Sequence, residues 1–290
     1  MAIYLFADTQ VLVQGITGNQ GSFHTRQMVS YGTRIVAGVS PGKGGQNLDD
    51  IPVYHTVAAA VTDHRVDASI LFIPAPFAKD AAFEAIDAGI KILVLLPEHI
   101  PLHDTMAIMA FAQCRGTTVV GPNTFGVVSS GKCKIGIMPN RFFLPGNIGV
   151  VSRSGTLCYE IVANLTACGY GTSTVVGLGG DRVVGLNFID VLQEFEKDQQ
   201  TEAIVLVGEI GGSSEEEAAE FIKSNVTKPV IVYLAGKSAP PGKRMGHAGA
   251  IIERGKGTFE GKVQAFEAAG VPVAQLPFQV PGILDKALKK

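Results

Sequence analysis

A histidine surrounded by very small residues is the strongest candidate for chemistry in this sequence. His247 lies in the stretch Gly246-His247-Ala248-Gly249-Ala250. Neighbours of this size leave the imidazole room to enter a cleft and to exchange a proton, a metal ion or a phosphoryl group. A histidine in an ordinary glycine-rich turn would show the same pattern, so the other polar loops of the chain must decide between the two interpretations.

Two further loops in the second half of the chain carry polar groups after apolar runs. Ser154-Gly155-Thr156 follows a strand-like run and precedes a helical pattern, so its hydroxyls and N–H groups predict an anion site at a helix N-terminus. Glu209 follows the run Ala203–Val207, at the position where open α/β sheets bind ligands. Its carboxylate could orient an imidazole, although an ordinary loop glutamate fits equally well. The run Glu215-Glu216-Glu217 is expected to be a solvated first helical turn.

A glycine-rich loop near the N-terminus predicts a phosphate site. Gly15-Ile16-Thr17-Gly18-Asn19-Gln20-Gly21 follows the predicted strand Val11-Leu12-Val13 and precedes a helical pattern. The spacing differs from the dinucleotide fingerprint, and the second strand is followed by Lys43 where that fingerprint expects an acid. A cation opposite a phosphate loop favours a phosphorylated ribose or a pyrophosphate over NAD, with a solvated loop lysine as the alternative.

Composition places the chain among globular enzymes. It has 290 residues, of which 46% are hydrophobic and 17% are charged. A net charge of −2 gives the whole chain no attraction to nucleic acid or to an anionic membrane. The longest apolar runs, such as Ile92–Leu96, are far shorter than the roughly 18 residues that span a bilayer, and the first residues lack the pattern of a signal peptide. We therefore expect a cytoplasmic protein.

Short β-branched runs alternate with helical patterns along the whole chain and predict doubly wound parallel sheets. The pattern lapses near Pro139–Asn147 and then resumes. We expect an α/β protein with a first domain over residues 1–125, a linker over 126–147 and a second domain over 148–290. The predicted strands are Val11–Val13, Ile35–Gly38, Ser69–Ile73, Ile92–Leu95, Thr118–Gly121, Ile148–Val151, Ser173–Val176, Ala203–Val207, Pro229–Tyr233 and Val271–Val273.

These loops, taken in order, resemble the succinyl-CoA synthetase (succinate–CoA ligase) α-subunit family over nearly the whole chain. Seven stretches carry the resemblance, which makes it specific. They are Gly15-Ile16-Thr17-Gly18, Thr33 with Pro41-Gly42-Lys43-Gly44-Gly45, Ile73-Pro74-Ala75-Pro76-Phe77, Gly121-Pro122-Asn123, Val151-Ser152-Arg153-Ser154-Gly155-Thr156-Leu157, Gly208-Glu209-Ile210-Gly211-Gly212 and Gly246-His247-Ala248-Gly249-Ala250.

The resemblance implies an N-terminal Rossmann-like CoA-binding domain followed by a flavodoxin-like ligase domain. It implies an acid–thiol ligase of the tricarboxylic acid cycle that uses coenzyme A as a substrate and binds no metal itself. A separate β subunit with an ATP-grasp fold would bring ATP or GTP with Mg²⁺, in an αβ heterodimer or heterotetramer. The remaining partner would be a small carboxylic acid, and no nucleic acid or membrane is involved.

Site residues follow from the resemblance position by position. His247 would be the phosphohistidine and Glu209 its partner, while the phosphoryl group would bind to Ser154, Gly155 and Thr156. The CoA phosphates would be held by Thr17, Gly18, Asn19, Gln20 and Lys43. The CoA channel would be lined by Leu96, Pro97 and Glu98, with Asn123 near its thiol end. Tyr159 would help to form the acid site together with the β subunit.

Departures from the family pattern leave the acid open. Asn123-Thr124-Phe125-Gly126 stands where Asn-Cys-Pro-Gly is usual, Pro97-Glu98-His99 replaces Thr-Glu-Gly, and Arg182 follows Gly179-Gly180-Asp181 in place of a proline. Thr124 and the segment ending at Arg182 resemble ATP-citrate lyase, and the guanidinium could balance an extra carboxylate, although a surface arginine fits equally well.

Three hypotheses follow from these residues. The first is the α subunit of a succinate–CoA ligase. The second is a citryl-CoA or malyl-CoA synthetase small subunit, for which Thr124 and Arg182 are the discriminating features. The third is a non-catalytic CoA-binding regulatory protein, because the first domain alone resembles free-standing CoA-binding proteins. The presence of His247, Glu209 and the Ser154-Gly155-Thr156 loop argues against this third hypothesis.

Overall fold

The computed structural model describes residues 3–253 and 255–289. Met1, Ala2, Arg254 and Lys290, which belong to the expected domain ranges 1–125 and 148–290, lie outside the described part. The chain divides into two compact units, which we call the N-terminal and C-terminal units. The N-terminal unit holds Tyr4–Asn140 and Val183–Gly185, and the C-terminal unit holds 141–182, 186–253 and 255–289 together with Ile3. The change of unit at 140/141 falls inside the stretch expected to be a linker.

The N-terminal unit alternates strands and helices. Its strands are β1 (Gln10–Gln14), β2 (Arg34–Val39), β3 (Asn47–Leu48), β4 (Ile51–Tyr54), β5 (Ala68–Leu71), β6 (Ile92–Leu95), β7 (Thr118–Val120), β8 (Gly126–Ser129) and β9 (Cys133–Gly136). Its helices are α1 (Asn19–Tyr31), α2 (Val57–Asp63), α3 (Ala78–Asp87) and α4 (Leu102–Arg115), with one 3-10 turn at Ala75–Phe77 and another at Asn140–Phe142 that leads into the C-terminal unit.

The sheet of the N-terminal unit has the strand order of a Rossmann fold. Its order is β3-β4-β2-β1-β5-β6-β7, and every pair except β3 with β4 is parallel. Counted along the chain, the parallel strands read 3-2-1-4-5-6, which is the order of dinucleotide-binding folds. The sequence missed β4, which contains Pro52 and exposes part of its surface. It also missed β8 and β9, which form an antiparallel hairpin inside the expected linker.

The C-terminal unit repeats the alternation with a different order. Its strands are β10 (Pro145–Ser152), β11 (Thr172–Gly177), β12 (Ala203–Glu209), β13 (Val230–Ala235) and β14 (Val273–Ala274). Its helices are α5 (Gly155–Ala167), α6 (Phe188–Lys197), α7 (Ser214–Asn225), α8 (Phe259–Ala268) and α9 (Val280–Leu288), with a 3-10 turn at Pro277–Gln279. The parallel strands lie in the order β14-β13-β12-β10-β11. Counted from the other side this is 2-1-3-4-5, the flavodoxin-like order.

Burial explains why these strands read as continuous apolar runs. All seven residues of β12 are buried, as expected for a parallel strand covered on both faces. On α6, the four buried residues Phe188, Val191, Leu192 and Phe195 recur at helical spacing and form one apolar stripe. Phe195 packs on β10, because a Cβ at Gly149 would lie 2.8 Å from its ring. Within the described residues, no helix is both long enough and apolar enough to cross a bilayer.

Candidate active site

The imidazole of His247 is bound to the carboxylate of Glu209. His247 lies in the glycine-rich loop between β13 and α8, and its Nδ1 is 2.8 Å from Oε2 of Glu209. Glu209 is the last residue of β12 and is 5% exposed. The loop is held by the hydrogen bonds from Met245 N to Ala250 O and from Gly249 N to Gly180 O. Because a carboxylate can only accept, Nδ1 carries the proton, and Nε2 keeps its lone pair in the neutral ring.

Glu209 also shifts the pKa of the imidazole. The hydrogen bond to Glu209 raises the pKa of His247 above its ordinary value, whereas partial burial of the ring and the nearby Arg153 guanidinium lower that pKa. The carboxylate therefore stabilises the imidazolium form more than these other groups disfavour it. When Nε2 of His247 forms a bond, the ring gains positive charge. The carboxylate that accepts from Nδ1 stabilises that charge.

A helix N-terminus lies at the same sheet edge. Ser154 is the N-cap of α5, and its Oγ accepts from the N–H of Leu157 at 3.4 Å. Ser154 follows β10, and β10 pairs directly with β12 in parallel, with Ser152 opposite Val207. The carboxyl ends of the two strands thus bring the Ser154-Gly155-Thr156 loop and Glu209 to neighbouring positions. The partial positive charge of a helix N-terminus at this place favours an anion.

The buried pair Glu215 and Lys262 lies behind Glu209, and it overturns one expectation. Glu215 and Lys262 are both fully buried, and their side chains form an ion pair. Lys262 also contacts Oε2 of Glu216 at 2.8 Å. The expectation that Glu215, Glu216 and Glu217 form a solvated turn is therefore wrong for Glu215 and holds for the exposed Glu217. The partner lies 47 residues further along the chain, on α8, so local sequence carries no sign of it.

Two of the expected acid-site residues also lie in the C-terminal unit. Arg182 donates from Nη2 to Oε1 of Glu253 at 2.6 Å and from Nε to the carbonyl of Ala248 at 3.3 Å, so it lies beside the His247 loop. A cavity of about 810 Å³ opens there, with Arg153, Arg182 and Gly249 in its wall. Tyr159 is half-buried on α5, and burial raises the pKa of its hydroxyl.

The expected CoA residues all follow parallel strands of the N-terminal unit. Thr17-Gly18-Asn19-Gln20 follows β1, Lys43 follows β2, Leu96-Pro97-Glu98 follows β6 and Asn123 follows β7. The carboxyl ends of parallel strands meet at one edge of a sheet, and the strand order reverses between β1 and β5, where such sheets bind ligands. Lys43 and the three residues Gly18 to Gln20 are exposed. The fold therefore gathers at one edge residues that lie far apart in sequence.

The glycines of the first loop serve two different purposes. Gly15 has a φ of +78°, and a Cβ there would lie 2.3 Å from the carbonyl oxygen of Phe72. A Cβ at Gly21 would lie 2.1 Å from the carbonyl oxygen of Gly15. These two glycines are required for close packing of backbone on backbone. Gly18, by contrast, is the exposed N-cap of α1 and has no side-chain cap, so it leaves the helix N-terminus open to an anion.

Asn123 and Thr124, beside which the sequence departs from the family pattern, both have local structural roles. Asn123 adopts a left-handed φ of 56°, and its N–H donates to the carbonyl of Pro97 at 3.0 Å, which joins the loops after β6 and β7. Thr124, expected among the acid-binding residues, is 6% exposed in the N-terminal unit. Its Oγ1 accepts from the N–H of Gly126 at 3.0 Å. The hydroxyl is thus used inside its own turn.

Each of the two units matches a known protein family. Residues 6–99 match the family model described as "CoA binding domain", and residues 151–272 match the model described as "CoA-ligase". The succinate–CoA ligase [ADP-forming] subunit alpha 2 of Archaeoglobus fulgidus is 55% identical over 99% of this chain and 100% of its own length. The chain belongs to the succinate–CoA ligase α-subunit family. Another member, from Methanothermobacter thermautotrophicus, is 58% identical over 95% of this chain and 93% of its own length.

A solved structure relates the family fold to a larger enzyme. ATP citrate lyase from Methanothrix soehngenii, in complex with citrate and coenzyme A, superposes on 98% of this chain with a TM-score of 0.88 and 25% identity. This chain spans 51% of the length of that one. The fold of the succinate–CoA ligase α subunit is therefore shared with about half of that longer polypeptide.

Proposed function

We propose that the chain is the α subunit of a cytoplasmic succinate–CoA ligase that forms succinyl-CoA reversibly from succinate and CoA, coupled to ATP or GTP. The observation that carries the proposal is the 2.8 Å contact between His247 Nδ1 and Glu209 Oε2, at the sheet edge that also holds the N-terminus of α5. The relatives at 55% and 58% identity, which are named succinate–CoA ligase α subunits, support the same reaction.

The chemistry requires a group that carries phosphoryl. A carboxylate is a poor acyl donor, because its oxygen leaves only when it has been phosphorylated. In the proposed cycle, Nε2 of His247 attacks the terminal phosphorus of the nucleotide and the nucleoside diphosphate leaves. A carboxylate oxygen of succinate then takes the phosphoryl group from Nε2, and the CoA thiolate displaces inorganic phosphate from the acyl carbon. All steps are reversible, so the enzyme can also make nucleotide.

Each residue of the C-terminal site has a role in this cycle. Glu209 holds the proton on Nδ1 and stabilises the positive charge that the ring gains when Nε2 is phosphorylated. Ser154, Gly155 and Thr156 receive the phosphoryl group at the N-terminus of α5. Tyr159, half-buried on the same helix, contributes to the acid site.

The N-terminal unit is the proposed binding site of CoA. CoA carries a diphosphate and a ribose phosphate, which suit the uncapped N-terminus of α1 and the exposed ammonium of Lys43. We assign Thr17, Gly18, Asn19 and Gln20 to the phosphates, Leu96, Pro97 and Glu98 to the channel, and Asn123 to its thiol end. The nucleotide and Mg²⁺ are assigned to a β subunit with an ATP-grasp fold, in an αβ heterodimer or heterotetramer.

Succinate is favoured over citrate and malate as the acid. The alternative, a citryl-CoA or malyl-CoA synthetase small subunit, rests on Arg182 and Thr124. Both side chains have nearby hydrogen-bond partners in this chain. Arg182 is paired with Glu253 at 2.6 Å, and the Thr124 hydroxyl is bound to Gly126. The Arg182 guanidinium is therefore already balanced by a carboxylate, and the Thr124 hydroxyl already has a partner.

The decisive experiment uses the chain co-expressed with its β subunit and γ-³²P-labelled nucleotide. We expect acid-labile, alkali-stable label on the wild-type chain and none on His247→Gln, while a variant of the exposed His103, His103→Gln, labels normally. Thioester formation is then compared for succinate, malate and citrate. Absence of label from the wild type would favour the regulatory CoA-binding alternative, and a preference for citrate or malate would move the assignment to the second ligase.

A further inference from the structure

Arg153 lies between two buried carboxylates behind the histidine site. It follows β10, is 9% exposed, and its Nε is 3.6 Å from Oε1 of Glu209. Its Nη1 is 3.8 Å from Oε1 of Glu215, and its Nη2 donates to the carbonyl of Asp181 at 3.3 Å. The rigid fork of a guanidinium can contact two acids at once, which an ammonium cannot do with the same geometry.

Glu209 uses its two oxygens differently. Oε2 accepts from His247, whereas Oε1 is buried and accepts no hydrogen bond from any described residue. The cation beside Oε1 is Arg153. A buried carboxylate without a compensating charge is costly, so the guanidinium stabilises Glu209 and holds its carboxylate in the orientation that faces the imidazole.

Arg153 is itself held by the buried pair. Oε1 of Glu215 accepts from the backbone N–H of Glu209 at 3.2 Å, and its Oε2 is bound to Nζ of Lys262. Lys262 is fixed further by the carbonyl of Gly212 at 3.3 Å. The charges thus alternate from Glu209 through Arg153 and Glu215 to Lys262, and each is compensated by its neighbours.

The loop that carries His247 also packs on this arginine. A Cβ at Gly249 would lie 2.5 Å from Nη2 of Arg153, so the glycine lets the loop approach the guanidinium. Arg153 therefore contacts both elements that must stay aligned, the carboxylate on β12 and the loop with the imidazole.

We infer that Arg153 is a positioning residue for the phosphorylation of His247, acting through Glu209, and that Glu215 anchored by Lys262 keeps Arg153 in place. The inference rests on the proposed function for its reaction and on the described contacts for its geometry. Arg153 aims Oε2 of Glu209 at Nδ1, and this leaves Nε2 as the nucleophile. Arg153, Glu215 and Lys262 themselves take no part in the formation of the bond.

The test compares charge-preserving variants in the complex with the β subunit. Arg153→Lys keeps the charge but loses the fork, and Arg141→Lys is the control because Arg141 is an exposed arginine outside the network. We expect kcat for His247 phosphorylation to fall at least tenfold in Arg153→Lys, while the Kd for CoA, which takes no part in that step, stays within twofold. If Arg153→Lys does not fold, Glu215→Gln serves in its place, with the exposed Glu220→Gln on the same helix as its control.

A spectroscopic measurement distinguishes a role of Arg153 in positioning Glu209 from a direct role in bond formation. In the complex labelled with ¹⁵N-histidine, the His247 ring signals are assigned by their loss in His247→Gln, and the wild type is expected in the Nδ1–H form. Arg153→Lys and Glu215→Gln should lower the population of that tautomer. An unchanged His247 spectrum or an unchanged kcat in these variants would overturn the inference. If the wild type takes up no phosphoryl group, the proposed function fails, and the spectra alone decide whether Arg153 positions Glu209.

Discussion

Gly180 lies directly against the ring of His247. A Cβ built on Gly180 would be 2.3 Å from Cγ and 2.5 Å from Cδ2 of the imidazole. Glu209 binds the same ring through Nδ1. The ring is therefore confined by a bare backbone on one side and by a carboxylate on another, so its position depends on Gly180 in the loop after β11 and on Glu209 at the end of β12.

The variant Gly180→Ala tests this confinement. The new methyl group must displace the imidazole, and a shift of about 1 Å at a reacting group costs about a hundredfold in rate. We expect phosphorylation of His247 to slow by about this factor, measured as ³²P uptake in the complex. Gly282→Ala on α9, where a Cβ meets nothing within 4 Å, is the control and should label as the wild type does. Normal labelling of Gly180→Ala would show that the ring works from another position.

The pH dependence of His247 should follow Glu209. The hydrogen bond from Glu209 raises the pKa of His247, so the neutral nucleophilic form predominates only above that raised value. Glu209→Gln removes the negative charge, and we expect the acidic limb of the pH–rate profile for phosphorylation to move to lower pH. The plateau should fall by about 10²-fold, because the stabilisation of the developing imidazolium is lost. A limb that stays in place would exclude Glu209 as the source of the shift.

CoA binding should be separable from phosphorylation, because the two sets of residues belong to different units. Lys43→Met removes one exposed cation from the proposed phosphate site, and we expect the Kd for CoA to rise about tenfold, as for loss of one charge-assisted contact. Phosphorylation of His247 by nucleotide should be unchanged. Isothermal titration with CoA measures the first and ³²P uptake the second, with the exposed Lys91→Met as the control. Equal affinities of Lys43→Met and Lys91→Met for CoA would remove Lys43 from the site.

Because Lys134 is buried, we expect an unusual dependence of the free energy of unfolding on pH. It is fully buried, its Nζ donates to the carbonyl of Met138 and the side chain of Asn140, and burial lowers its pKa from 10.5 to about 8. Between these values the unfolded chain binds a proton that the folded chain does not, so the free energy of unfolding rises with pH. Relative to Lys134→Met, the wild type should gain up to about 3 kcal/mol as the pH rises from 7 to 10.5.

Denaturant unfolding of both chains at several pH values measures this difference. The exposed Lys91→Met is the control for the loss of one surface charge. A constant difference between the wild type and Lys134→Met would mean that Lys134 keeps its ordinary pKa in the fold.

Much of the architecture could be predicted from local pattern. The strand cores Val11–Val13, Ile92–Leu95 and Ala203–Val207 lie inside β1, β6 and β12, because parallel strands covered on both faces are continuous apolar runs. The short β4 escaped prediction, since Pro52 and a half-exposed face leave it without such a run. The hairpin β8–β9 escaped because its two four-residue strands lie within residues 126–147, which were expected to form a linker.

The sequence by itself indicated the reaction class through its resemblance to a known family over seven stretches. It also predicted the polar loops, because His247 with its small neighbours, the Ser154 loop and the first glycine loop are local patterns in the chain. Only the tertiary structure decided what each polar side chain faces. The resemblance implied Glu209 as the partner of His247, and the structure adds the contact between Nδ1 and Oε2. Gly180 against the ring, Glu215 buried against Lys262, and Arg153 between two acids appear only in the structure. These partners are 38 to 67 residues apart in the sequence, and no local rule links positions that meet only when strands and helices pack.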